Sequence, residues 1–219
     1  MVATATNYLG RGAYSVADAA RIVGRHYNTI RRWLSPEGGI IKRAYDPTLQ
    51  TISFSELMEL HFIAMFEKEG VSFQTIRRAA AAAAKRYETD YPFTVKRFDT
   101  DGRTIFATLA READKKEVVE DLKKGQYVFS NIMRPFFRKL DYGKSDISRY
   151  WPMTKRGRVV LDPSRRFGQP IDEKTGIPTK TLFNAVQAGG GQTTKEVARW
   201  FGVPEAAVTA AVKFEKSLK

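Results

Sequence analysis

The stretch SVADAARIVGRHYNTIRRWL (residues 15–34) recurs in outline 178 positions later as TTKEVARWFGVPEAAVTAAV (residues 193–212). Ser15 falls on Thr193, Asp18 on Glu196, Ala20 on Ala198, Gly24 on Gly202 and Ile30 on Val208. Each match has a physical role. A hydroxyl followed three residues later by an acid caps a helix start. A small residue lets two helices cross closely, and a glycine takes the left-handed turn that ends the first helix. The aliphatic residue then anchors the second helix. Both segments are therefore expected to form a helix, a tight turn and a second helix, an arrangement in which the second helix can project into a major groove.

The outward positions separate the two units. The first offers Arg25, His26, Tyr27, Asn28, Thr29, Arg31 and Arg32. Arginine pairs bidentately with guanine, asparagine with adenine, and tyrosine or threonine hydroxyls can meet phosphates. The second offers Glu205, Ala206, Ala207, Thr209 and Ala210, with no cation and with an acid that repels phosphate. It is expected to contact protein rather than bases, through Trp200, Phe201, Glu205 and Thr209. Trp33, at the end of the first unit, reads as a core anchor. His26 reads as a helix-start residue: His61 is the only other histidine and the chain has no cysteine, so no metal site is expected.

Charge supports the same direction. Among 219 residues, 37 Lys and Arg face 24 Asp and Glu, a net +13 that attracts polyanions, nucleic acid foremost. The lack of cysteine fits a reducing compartment, and no apolar run reaches the length of a membrane span. The first 15 residues lack the apolar core of a signal peptide. The chain is expected in the cytoplasm, without a membrane. Nucleophile elbow, P-loop, HExxH and dense acidic metal cluster are all missing, so neither an enzyme nor a cofactor is expected.

Along the chain, SPEGGIIKRAYDPTLQTI (residues 35–52) reads as a β-hairpin or wing, with Lys42 and Arg43 placed to reach a phosphate or the minor groove, or else solvated. A helix over residues 54–70 carries Leu57, Leu60, Ile63, Ala64 and Phe66 at helical spacing and stops at Gly70. Another holds six alanines, Ala79–Ala84, available for packing within the chain or for a dimer contact. YPFTVKRFDTDGRTIFATL (residues 91–109) reads as a hairpin around Asp101-Gly102, with Asp99 and Asp101 as turn residues. A helix is expected from about Lys115 to Lys124. Residues 134–166 hold ten Lys or Arg against three Asp, as a linker or a basic strip that tracks phosphates. The expected fold is mainly α with small β-hairpins, an α+β class. Its expected parts are a winged helix-turn-helix domain with a β-hairpin extension (1–133), a basic linker (134–160) and a small helical interaction domain (161–219).

YSVADAARIVGRHYNTIRRWL, a short wing and ISFSELMELHFIAMFEKEGVSFQTIRRA together resemble a MerR-like winged helix-turn-helix. The segments LDPSRRFGQPIDEKTGIPT (161–179) and EVARWFGV (196–203) are similar to a small helical domain of VapB-like antitoxins, which are encoded beside PIN-like ribonuclease toxins. The two resemblances cover about two thirds of the chain, the second being the more specific. They imply that Tyr27, Asn28, Arg31 and Arg32 read DNA, with Lys42 and Arg43 on the wing. They further imply an antitoxin that represses its own operon as a homodimer and neutralises a PIN-like nuclease. The chain departs from the pattern at Lys174-Thr175-Gly176-Ile177-Pro178, where related domains often carry an arginine, and it is longer than antitoxins whose disordered tail wraps the toxin. A stand-alone winged helix-turn-helix regulator without a toxin is the competing reading.

Overall fold

The computed structural model describes residues 8–113, 115–188 and 193–218. It is mostly helical with short antiparallel strand pairs, an α+β fold as expected. The first unit comprises β1 (Tyr14–Ser15), α1 (Val16–Val23) and α2 (Tyr27–Trp33), and β1 pairs with β2 (Thr51–Ile52). Next come α3 (Phe54–Lys68), α4 (Phe73–Tyr87), α5 (Lys96–Arg111), α6 (Lys116–Asn131) and the single turn α7 (Arg134–Phe137). A hairpin of β3 (Leu140–Tyr142) and β4 (Ile147–Tyr150) leads to the pair β5 (Val159–Val160) and β6 (Ile171–Asp172). The chain closes with α8 (Thr179–Ala188), α9 (Thr194–Phe201) and α10 (Glu205–Ser217).

Helix α3 is the axis of the main core. It opens with a full capping box between Ser53 and Glu56, and its residues are buried almost all round, as befits a helix enclosed by others. The Phe62 ring lies 5.3–6.0 Å from those of Phe93, Phe98, Phe136 and Phe137. Ala79, Ala80 and Ala83 of α4 are buried in the same core, so the alanine run packs within the chain. A smaller cluster of Leu182, Val197, Ala198, Val208 and Ala211 unites α8, α9 and α10.

Three expectations are corrected. Residues 96–111 are helix, not the turn and second strand of a hairpin around Asp101-Gly102: Phe98, Ile105 and Phe106 are buried at helical spacing. Gly102 is a contact point rather than a turn, because a Cβ there would come within 2.3 Å of the Phe129 ring. Gly125 on α6 reciprocates against Phe106, so two glycines let α5 and α6 approach through two aromatic rings. Asp101 lies on the helix surface and pairs with Arg86 at 3.4 Å.

Residues 35–52 do not fold back on themselves as a β-hairpin. Asp46 caps a 3₁₀ turn over Pro47–Leu49 by accepting the Thr48 N–H at 2.9 Å, and β2 pairs with β1 instead of with its own loop. Residues 134–160 are folded rather than a linker: Phe136, Phe137, Leu140, Ile147 and Tyr150 all enter the main core. Their basic neighbours Arg134, Arg138 and Lys144 stay on the surface.

Candidate nucleic-acid interface

Local chemistry fixes the helix-turn-helix. The Ser15 hydroxyl accepts the Asp18 N–H at 3.0 Å and starts α1. Gly24 ends it at φ 70°, ψ 41°, its N–H returning to the Ala20 and Arg21 carbonyls. The His26 ring accepts the Asn28 N–H at 3.3 Å and caps α2, as expected of a helix-start residue. Ile30, Trp33 and Leu34 are fully buried, which plants one side of α2 in the core and confirms Trp33 as an anchor.

The opposite side of α2 is open. Asn28, Arg31 and Arg32 are exposed, as is His26 at the cap. Thr29 is half-buried, and the Tyr27 hydroxyl donates to Gln50 Oε1 at 2.9 Å, tying the helix start to the loop before β2. Arg31 lines a cleft with Ser35, Pro36, Arg43 and Gln50, so the loop after α2 flanks the exposed face.

Other cations named from the sequence have internal partners. Arg43 retains only 10% side-chain exposure and makes a 2.8 Å ion pair with the fully buried Glu56, while donating to the Thr51 carbonyl at 2.7 Å. Arg25 pairs with Glu67 at 3.1 Å and donates to the Ala64 carbonyl at 2.8 Å. These two arginines clamp the unit to α3. Lys42 is 69% exposed and pairs with Asp90 at 2.9 Å, a surface contact worth little that leaves it accessible.

The second unit repeats the frame. Thr193 and Glu196 form a full capping box, Gly202 ends α9 at φ 63°, ψ 34°, and Val208 is buried as Ile30 is. Glu205 accepts from the Thr194 hydroxyl at 2.6 Å, an internal bond across the turn, while Thr209 is exposed. Trp200 and Phe201 are exposed at 72% and 37%.

Sequence reading missed two supports. The Arg77 guanidinium of α4 donates to the Gly38 carbonyl and steadies the loop after α2. Glu215 of α10 lies 3.6 Å from Arg21 of α1 and accepts from the Thr179 hydroxyl at 2.5 Å, linking the two units. An acid on the apolar face of α10, in step with Val208 and Ala211, was the signal for the second.

Among the described residues no cluster of three or more His, Cys, Asp or Glu is placed to hold a metal ion, and no helix is long and apolar enough to cross a membrane. Fold and site together define a helical α+β protein built around a helix-turn-helix with an open polar face. No protein-family model matches the chain. It is 26% identical over 161 residues to a protein of Mycobacterium tuberculosis (strain ATCC 25618 / H37Rv) named "Putative antitoxin VapB45". That alignment spans 69% of this chain and 66% of the relative, just under two thirds of its length. The crystal structure of Rv2018 from Mycobacterium tuberculosis shares the fold, with a TM-score of 0.75 at 20% identity over 91% of this chain and 96% of that one.

Proposed function

We propose that this chain is the antitoxin of a toxin–antitoxin pair. In this reading it represses its own operon by binding operator DNA as a homodimer and neutralises a PIN-like ribonuclease through its C-terminal unit. The observation that carries the DNA-binding half is the open face of α2, where Asn28, Arg31 and Arg32 project from a helix whose other side is locked by Ile30 and Trp33. Rigid presentation of a guanidinium pair and a carboxamide suits base-edge readout in a major groove. His26 and Thr29 lie in the first turn of that helix and suit phosphate contacts, as does the exposed Lys42 of the following loop. Arg25 and Arg43, held by acids, act as positioning residues. The net +13 adds a sequence-independent attraction that weakens with salt. The relative named as an antitoxin supports the toxin half.

Co-expression with the products of the neighbouring genes tests this function. A tag on this chain is expected to retain a nuclease that is silent in the complex and active once freed, and the complex is expected to retard its own promoter DNA. A chain that elutes alone as a dimer and still retards that DNA would instead establish the stand-alone regulator.

A further inference from the structure

The internal repeat provides a template for what the second unit lacks. At the shared offset, Arg21, Ile22 and Val23 of α1 correspond to Arg199, Trp200 and Phe201 of α9. In the first unit the chain itself partly covers these positions. Arg21 faces the Glu215 carboxylate at 3.6 Å, and Ile22 borders a small cavity with Pro170, Pro178 and Leu218. Val23 packs against the main core. In the second unit nothing among the described residues does the same. Trp200 is 72% exposed, and among the described residues the exposed Arg199 has only Glu196, one turn earlier on its own helix, as an electrostatic neighbour.

We infer that the face of α9 formed by Arg199, Trp200 and Phe201 docks a protein partner that brings a carboxylate to Arg199 and an apolar surface to the two rings. That is the complement the chain already supplies to α1. Tryptophan and arginine are the side chains that most often anchor such contacts, one through area and the other through a directed charge-assisted bond. The partner is not a second copy of this chain presenting the same element. Glu215 is buried and held by Thr179 and Arg21, so that element is already used within each copy. Nor does the face suit DNA, since the neighbouring outward helix shows Ala206, Thr209 and Ala210. The inference rests on the antitoxin reading, in which the partner is the toxin.

The test titrates the full chain with the separately purified protein encoded beside it, following affinity by calorimetry and environment by tryptophan emission. Trp33 and Trp151 are buried, so the solvent-exposed component of the emission belongs to Trp200, and Trp200→Phe serves as the spectral blank. On binding, that component is expected to move to the blue. Trp200→Ala is expected to weaken binding by about 30-fold or more, as a central anchor does, and Arg199→Glu by about tenfold. Glu120→Ala on α6 is expected to change nothing. Both mutated side chains are exposed, so an unchanged circular dichroism spectrum is expected to separate lost docking from lost folding. Wild-type binding that survives both substitutions with the Trp200 emission unmoved would overturn the inference while leaving the antitoxin reading intact. A wild-type chain that does not bind the neighbouring protein would overturn both.

Discussion

At equal positions in the repeat, α2 shows Asn28, Arg31 and Arg32 where α10 shows Ala206, Thr209 and Ala210. Their supports are the same: a capped first helix of eight residues, a left-handed glycine, and a buried aliphatic on the second helix. What differs is confined to side chains that the backbone does not need. A helix-turn-helix thus sets where groups point, and under the proposed function a handful of outward residues decides whether they meet phosphates and bases or a protein surface. The complementary difference lies on the first helix, where Ile22 and Val23 are partly covered, whereas Trp200 is 72% exposed and Phe201 37%.

The largest expected effect on stability tests whether Arg43 is a support of the first unit rather than one of its open cations. Arg43→Ala leaves Glu56 buried without its partner and is expected to cost about 3–5 kcal/mol of stability in urea melts, as broken buried ion pairs do. A fully stable Arg43→Ala protein with reduced DNA affinity would move Arg43 from the supports to the readers.

A second effect probes the packing of α3 against residues 136–150. His61 is buried between the Phe136 and Tyr150 rings, and burial, helped by Lys139, pushes its pKa down to about 3. Between that value and the ordinary 6.5, the unfolded chain binds a proton that the folded chain refuses. Stability from this group is therefore present above pH 6.5 and is lost on acidification, by about 1.4 kcal/mol per pH unit within the window. His61→Phe is expected to remove that slope relative to wild type, as read by melts at several pH values. An equal slope in both proteins would assign the acid sensitivity elsewhere.

The smallest effect tests the equivalence of the two turns. A Cβ at Gly24 or at Gly202 meets nothing within 4 Å, so alanine at either position carries only the left-handed backbone penalty of about 1–2 kcal/mol. Matched losses in thermal melts are expected; a much larger loss at one would show that the turns bear unequal load.

Both helix-turn-helix units were legible because caps, turn glycine and anchor act within a few residues of one another. Legibility failed where a distant residue decides the outcome. Asp101-Gly102 has the look of a hairpin turn, but Phe129, on another helix, explains the glycine. The charges of residues 134–160 concealed a strand pair whose Leu140, Ile147 and Tyr150 enter the main core without a strict alternation. Arg25 and Arg43 resemble Arg31 and Arg32 in one dimension, and only the carboxylates of Glu67 and Glu56 distinguish the paired arginines from the open ones.

The most direct measurement is the affinity of the folded chain for its own promoter duplex, by fluorescence anisotropy at fixed salt, for wild type, Arg31→Ala/Arg32→Ala and Thr209→Ala. The double substitution is expected to lose about 2–6 kcal/mol of binding at unchanged circular dichroism, while Thr209→Ala binds as wild type. Tight binding by the double variant, or loss with Thr209→Ala, would contradict the division of labour between the two units.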